Sequence, residues 1–487
     1  MHNWLNDHPD SATLIAGSGL AWNATALRQR IGRMREALLS RRWPRAPVAI
    51  LADNAPDWIA VDLATQELGI PLIPLPGFFT PAQWAHAIAS GGVQAIFCAR
   101  PEHAHAFGFT ERVAGDGELT LHQAPTAARD SLLEGIQKLT FTSGTTSEPK
   151  GVCLTAAQQW DVARALQASL APLDIRRHLC LLPLPVLLEN IAGVYTALLS
   201  GATTICPPLA ELGLTGASQF DAEVCLDAIC RYRAESVILL PQMLQAMAAV
   251  AQPGDARLRT LKFVAVGGAK TPSALIRSAR EKGFPVYEGY GLSECGSVVS
   301  LNLPGADKPG SAGRPIPGRR VRIAADGEIE VGGGGIAHYL GAPPNRSEWL
   351  PTGDLGHLDE DGFLFISGRK KNILITGYGR NVSPEWPESV LLGTGPIAQA
   401  VVFGDARPFL VAAIVPASPQ VTREMLQAAV DRANRELPDY ARIGRWIAVE
   451  PFRPENGLAT ANGRPRRDAI RERHARLLES LYEHPGE

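Results

Sequence analysis

Two periodicities alternate along the first half of the chain, and that alternation limits the fold more than any single motif does. Residues 23–40 place Leu27, Ile31, Met34, Leu38 and Leu39 at helical spacing, and Val48-Ala-Ile-Leu51 follows as an unbroken apolar run. The pattern returns as a helix over 54–68, a strand over 71–75, a helix over 81–90 and a strand over 93–97. It resumes with helices over 156–170, 221–232 and 241–250 and strands over 203–206, 236–240 and 261–266, while the apolar run 181–185 leads into a helix ending at Leu199. Strands apolar on both faces need cover on both. The pattern therefore predicts an α/β fold, with parallel or mixed sheets packed between helices. Residues 101–135 are polar and weakly patterned and read as a loop.

From about Gly318 the grammar changes to short, glycine-punctuated strands, Arg320-Val-Arg-Ile323 and Gly327-Glu-Ile-Glu-Val331, which predicts a small β-rich subdomain. At 487 residues the chain is too long for one compact core. Gly368-Arg-Lys-Lys-Asn372 reads as a polar joint, so the expected boundary divides a large domain, 1–370, from a small mobile α+β domain, 371–487.

The stretch Leu139-Thr-Phe-Thr-Ser-Gly-Thr-Thr-Ser-Glu-Pro-Lys150-Gly carries the first chemistry. Backbone N–H groups around Gly144, the hydroxyls of Thr142, Ser143, Thr145 and Thr146, and the mobile charge of Lys150 suit phosphate oxygens, which points to ATP. It is not a Walker A loop, because Pro149 precedes the lysine and Gly151 follows it. Only 8 of the 47 basic residues are lysines, so a lysine at this position carries weight.

Val286-Tyr-Glu-Gly-Tyr-Gly-Leu-Ser-Glu294 is the second signal. Tyr290 offers a flat face to a purine, Gly289 and Gly291 allow close backbone approach, and Glu294 is a hard oxygen ligand. Trp349-Leu-Pro-Thr-Gly-Asp354 and Asp361-Gly-Phe-Leu-Phe-Ile-Ser-Gly-Arg369 form the third. Together, in this order, the three segments resemble the adenylate-forming superfamily of acyl-CoA synthetases, peptide-synthetase adenylation domains and luciferases. The likeness extends over nearly the whole chain, including Gly310-Ser-Ala-Gly-Arg-Pro-Ile-Pro-Gly318, and Val401-Val-Phe-Gly-Asp-Ala-Arg-Pro-Phe-Leu410 is most similar to fatty-acyl-CoA synthetases.

The resemblance implies that Tyr290 stacks on adenine, with Gly268, Glu288, Gly289, Gly291 and Ser293 also contacting the nucleotide. Glu294 and Thr145 hold Mg²⁺, Asp354 takes the ribose hydroxyls and Arg369 contacts the nucleotide. A carboxylate would attack the α-phosphate of Mg·ATP to give acyl-AMP and pyrophosphate, and a thiol would then displace AMP. Lys371 would be the hinge about which the small domain turns between the two steps, and Gly377-Tyr-Gly-Arg-Asn-Val-Ser-Pro384 would line the path of the thiol arm. Where the family carries a C-terminal bridging lysine this chain has Arg464. No lysine follows Lys371, so no shift of register restores one.

Leu182-Pro-Leu-Pro-Val-Leu-Leu-Glu-Asn190 resembles a run of long-chain acyl-CoA synthetases, with Val186 replacing a histidine. Val186, Leu187, Ile191, Gly267 and Cys295 outline an apolar, glycine-lined acid pocket, although Leu187 and Leu188 suit core packing equally. The expected activity is an AMP-forming ligase joining a medium- or long-chain fatty acid to CoA. The alternatives are a fatty acyl-AMP ligase that loads the phosphopantetheine of an acyl carrier protein, and a catalytically weakened acyl- or nucleotide-binding protein. A formal net charge of −2 without basic runs speaks against a nucleic-acid partner, and the run 181–199, broken by Pro183, Pro185, Glu189 and Asn190, against an integral membrane segment. Seven cysteines without a CxxC pair, and no signal-like start, predict a reduced, cytoplasmic protein.

Overall fold

The computed structural model describes residues 3–115, 117–125, 133, 135–142, 150–215, 219–343, 347–377, 380–460 and 463–483. Among them the strands form two large sheets, a four-stranded sheet, a three-stranded C-terminal sheet and two small ribbons. The eight-stranded sheet runs, from one edge, His338–Tyr339, Lys150–Leu154, Lys138–Thr142, Leu72–Pro74, Val48–Leu51, Ala95–Cys98, Thr120–Gln123, Glu111–Ala114. Its middle is parallel and its outer pairs are antiparallel. The nine-stranded sheet is parallel from Thr13–Gly17 through Thr203–Ile205, Arg177–Leu179, Ser236–Leu239 and Phe263–Val266 to Val286–Tyr290.

Both faces of these strands are buried, which is why they read as continuous apolar runs. Val48, Ile50 and Phe97 point into the core shared by the two sheets, whereas Ala49, Leu51, Ile96 and Cys98 join a second core on the opposite face. Val264, Val266 and Val286 face a third, built with the helices Ala222–Tyr232, Pro241–Val250 and Ser273–Glu281. The four-stranded sheet, Arg320–Ile323, Glu328–Gly332, Trp349–Leu358 and Leu364–Arg369, encloses a small core of its own. Beyond it, Ile397–Phe403, Leu410–Pro416 and Ile443–Ala448 pack against the helices Glu385–Leu392 and Arg423–Glu436. No helix among the described residues is long and apolar enough to cross a membrane.

Three details depart from the expected pattern. Within 101–135 the chain forms the helix Pro101–Ala106, the strand Thr120–Gln123 and, outside it, the edge strand Glu111–Ala114. An irregular register between Arg112 and Ala114, together with a largely uncovered outer strand, erases the alternation that would have shown them. Leu39, placed at helical spacing with Leu38, is 52% exposed. The helix leading to Leu199 begins as a π-helix, Leu188–Tyr195, and turns α-helical only over Thr196–Leu199.

That wide turn delivers polar side chains to the interior. Lys138, at the start of the strand leading to the phosphate loop, is fully buried and pairs with Asp62 at 2.9 Å. The Tyr195 hydroxyl donates to Asp62 Oδ2 at 2.7 Å, Asn190 Nδ2 donates to the same oxygen at 3.0 Å, and Lys138 Nζ reaches Tyr195 Oη at 2.8 Å. Burial pulls the Lys138 pKa down, and Asp62 opposes the fall.

Candidate active site

The strands Lys138–Thr142 and Lys150–Leu154 pair antiparallel, with Thr142 opposite Lys150, at the two ends of the stretch expected to bind phosphate. Ser143, Gly144, Thr145, Thr146 and the Thr142 side chain lie outside the described residues. Lys150 stands at the root of the loop. On the other side of its strand, His338–Tyr339 adds an edge with Tyr339 opposite Val152, which makes Tyr339 a diagonal neighbour of Lys150. Lys150 Nζ lies 5.5 Å from the Tyr339 ring centroid, and the Tyr339 hydroxyl donates to Glu294 Oε1 at 2.5 Å.

Glu294 sits in the single turn Ser293–Cys295, held from two directions. The Ala337 N–H donates to the Glu294 carbonyl at 2.9 Å, and Arg319 Nη2 donates to the Cys295 carbonyl at 2.6 Å. Arg319 also bonds the Gly333 and Gly335 carbonyls. Gly333, Gly334 and Gly335 all take positive φ, and a Cβ on Gly334 would stand 2.6 Å from Arg319 Nη1. Only glycine lets the chain wrap this guanidinium on its way to Tyr339.

The strand Val286–Tyr290 leads to Glu294 through Gly291, where a Cβ would lie 1.5 Å from the Ser297 carbonyl oxygen. Tyr290 Oη donates to Asp354 Oδ2 at 2.6 Å, and Arg369 Nε reaches Asp354 Oδ1 at 2.9 Å. The latter contact follows from register, because Asp354 and Arg369 face each other across one hairpin. Burial raises the Asp354 pKa, while Arg369, the Tyr290 bond and Arg464 draw it back. Both carboxylate oxygens keep lone pairs for further hydroxyl donors.

Glu288 faces elsewhere. Its carboxylate is buried and accepts the Thr271 N–H at 2.8 Å, beside Lys270, whose Nζ donates to the Ile366 carbonyl at 2.9 Å. Burial lifts the Glu288 pKa from 4.5 to about 7 against the opposing pull of the Thr271 N–H and Lys270. A carboxyl raised in the folded state contributes stability that is full below its unfolded pKa and disappears as pH rises through the folded one. Ionisation here costs roughly 3 kcal/mol at 1.36 kcal/mol per pKa unit. The melting temperature of Glu288→Gln should therefore pull ahead of wild type between pH 4.5 and 7, and the gap should level off at higher pH. A gap independent of pH would show that Glu288 does not titrate in this window.

From the small domain, Arg464 Nη2 donates to the Gly268 carbonyl, and the arginine's own turn is closed by Thr460 N–H to the Arg464 carbonyl at 2.7 Å. Lys371 lies in the turn Lys370–Asn372, close enough to Arg369 and Lys150 that their charges add to burial in lowering its pKa. Lys370 instead binds Asp326 and Glu328, both at 2.7 Å. Lys150, Glu294, Tyr290, Asp354, Arg369, Lys371 and Arg464 thus converge from five separate stretches of chain. In the segment assigned to the thiol arm, the Gly377 N–H bonds the Arg407 carbonyl at 2.7 Å, and Tyr378 and Gly379 lie outside the described residues.

The candidate pocket residues do not form one cluster. Leu187 and Ile191 belong to the core between the sheets, and Val186 is half-buried. Cys295 packs with Val299, Ile329, Val331 and Leu364, its thiol pushed up to about 12 by burial. Leu188 approaches Gly267: its Cδ2 lies 4.0 Å, and the Gly289 carbonyl 3.3 Å, from where a Gly267 Cβ would sit. Glu189 is bound to His178 at 2.8 Å and accepts the Leu182 N–H at 2.8 Å. Cys180 completes a trio of ligand-type atoms within 4.8 Å, but His178 Nε2 and Glu189 Oε1 are spent on each other, and a Cβ on Gly193 would fall 2.3 Å from Glu189 Oε1 and 2.5 Å from His178 Nε2, so only glycine fits beside the pair. Tyr339 and Arg319 stand in no motif singled out by sequence, where the signal for both was the glycine run 332–335.

Residues 1–337 match the model of the AMP-binding enzyme, and residues 371–485 match that of the AMP-binding enzyme C-terminal domain. The chain belongs to the AMP-binding enzyme family. With it comes membership of the adenylate-forming superfamily. Among family relatives, the long-chain-fatty-acid–CoA ligase FadD15 of Mycobacterium bovis is 35% identical over 247 residues, which cover 44% of this chain and 41% of that protein. The chain thus spans less than half the length of that relative. Indoleacetate–CoA ligase of Aromatoleum aromaticum is 29% identical over 418 residues, 76% of this chain and 78% of that protein. The solved structure of O-succinylbenzoate coenzyme A synthetase (MenE) from Bacillus subtilis, in complex with ATP and magnesium ion, shares the fold with a TM-score of 0.76 at 23% identity, covering 96% of this chain and 99% of that one.

Proposed function

We propose that this AMP-binding enzyme is an AMP-forming acid–thiol ligase that activates an apolar carboxylic acid, a medium- or long-chain fatty acid in the first instance, and passes it to CoA. The observation that carries the reading is the convergence of Lys150, Arg369 and Arg464 around the single turn that bears Glu294 and the buried carboxylate of Asp354. The donor set suits Mg·ATP: an acceptor-only carboxylate for a hard cation, an aromatic beside a carboxylate for a nucleoside, and three cations for a polyphosphate. Bound there, magnesium would supply charge neutralisation at the phosphates, held by Glu294 and Thr145.

In the first half-reaction a carboxylate oxygen forms a bond to the α-phosphorus, the bond to the bridging oxygen breaks, and pyrophosphate leaves. Lys150 and Arg464 stabilise the charge that builds on the phosphoryl oxygens, while Asp354 and Tyr290 hold the nucleoside in line. In the second, a thiolate adds to the acyl carbon and AMP departs, with the segment after Lys371 turned toward the site. The domain division at Lys370–Lys371 and the hinge belong to this reading, and the free state of all seven cysteines supports the cytoplasm as the compartment. Relatives named for a fatty acid and for indoleacetate both match, so the acids tested span both classes.

Pyrophosphate release with ATP, Mg²⁺ and a panel of fatty and aryl acids tests the proposal. Release that depends on a fatty acid, followed by thioester formation with CoA, is the expected result. Thioester formation on a holo-carrier protein but not on CoA would reassign the acceptor, and ATP binding without release for any acid would overturn the ligase reading.

A further inference from the structure

We propose that Tyr339 is a positioning residue that orients Glu294 for the metal and sets the approach of Lys150; the inference rests on the Mg·ATP reading above. Two side chains of opposite charge needed for one reaction come from different layers, Lys150 from the strand next to the edge of the eight-stranded sheet and Glu294 from the turn between the strands Val286–Tyr290 and Ser300–Leu301 of the nine-stranded one. Tyr339 stands between them, its hydroxyl on Glu294 Oε1 and its ring facing Lys150 Nζ.

The backbone makes this arrangement rigid. Tyr339 pairs with Val152, the Leu340 N–H bonds the Gly151 carbonyl at 2.8 Å, and the Ala337 N–H bonds the Glu294 carbonyl. One four-residue segment is thereby fastened to both the lysine strand and the acid's turn. A phenol keeps its proton at neutral pH, so the hydroxyl stays a donor to the Glu294 carboxylate. A carboxylate has about four lone-pair directions, and one phenol bond leaves the others for a cation. A hydrogen bond of this kind to a ligating carboxylate fixes its direction, and its loss typically costs 10- to 100-fold in metal affinity.

The hydroxyl and the ring make separable predictions. Tyr339→Phe removes the bond to Glu294 and keeps the face toward Lys150, whereas Tyr339→Leu removes both. The readout is the ATP-induced rise in melting temperature of the full chain, with and without Mg²⁺, together with the Mg²⁺ concentration giving half the added rise. For Tyr339→Phe we expect the melting temperature without ligands and the rise with ATP alone to match wild type, and the half-saturating Mg²⁺ concentration to increase about 10- to 100-fold. Tyr339→Leu should also lose part of the rise with ATP alone. A Tyr339→Phe protein that needs no more Mg²⁺ than wild type overturns the inference while the ligase reading stands. A wild type whose response to ATP ignores Mg²⁺ overturns both.

Discussion

Replacing Arg464 with alanine is expected to lower pyrophosphate release by roughly 10²- to 10³-fold, the usual effect of deleting one donor aimed at developing charge. Thioester formation from supplied acyl-adenylate should change far less. Arg464 reaches across from the small domain to the Gly268 carbonyl and lies near enough to Asp354 to lower its pKa. That places it against the nucleotide side of the site, where the first half-reaction of the proposed mechanism takes place. Arg464→Lys distinguishes a requirement for charge from a requirement for shape. An ammonium is compact and an arginine planar and forked, so activity kept by lysine shows that charge suffices, and activity lost shows that the bond to Gly268 needs the fork. If Arg464→Ala releases pyrophosphate as fast as wild type, the arginine merely ties the domains together.

The second large effect concerns stability. Asp62→Ala should destabilise the large domain by about 3–5 kcal/mol, the range seen when one partner of a buried ion pair is removed. Asp62 receives Lys138, the Tyr195 hydroxyl and Asn190 together, so its loss strands a buried ammonium and two further donors. Urea unfolding followed by intrinsic fluorescence suits the test, because Trp160 stacks on Tyr195 at 4.5 Å and reports on this region. Asp62→Ala combined with Lys138→Met should recover part of the loss, since the buried charge is gone, but not all of it, since Tyr195 and Asn190 still lack their acceptor. A single variant as stable as wild type would mean that water reaches the network.

The alternation of strand and helix, the change of grammar near Gly318 and the separate nucleotide segments were all legible because each is local. A strand buried on both faces needs only its own few apolar residues, and a glycine forced by a close contact, such as Gly291 against Ser297, leaves its mark at one position. The strands between 101 and 135 were not legible, since the outer one is partly exposed and its register against the inner one is irregular, which removes the alternation that marks a strand.

Pairing across the chain was a different matter. That Asp354 meets Arg369 depends on hairpin register, that Tyr339 meets both Lys150 and Glu294 depends on an edge strand joining a distant hairpin, and that Arg464 meets Gly268 depends on how two domains dock. Lys138 makes the contrast plain. In sequence it is one more lysine before an apolar run; in the fold a π-helical turn brings Tyr195 and Asn190 to it, and Asp62 arrives from a helix 76 residues earlier. The sequence by itself determined which residue types this site has available, because side-chain chemistry and backbone freedom belong to single residues. Only the tertiary structure decided which of them meet, because register and docking are set by the burial of whole faces rather than by the residues that end up in contact.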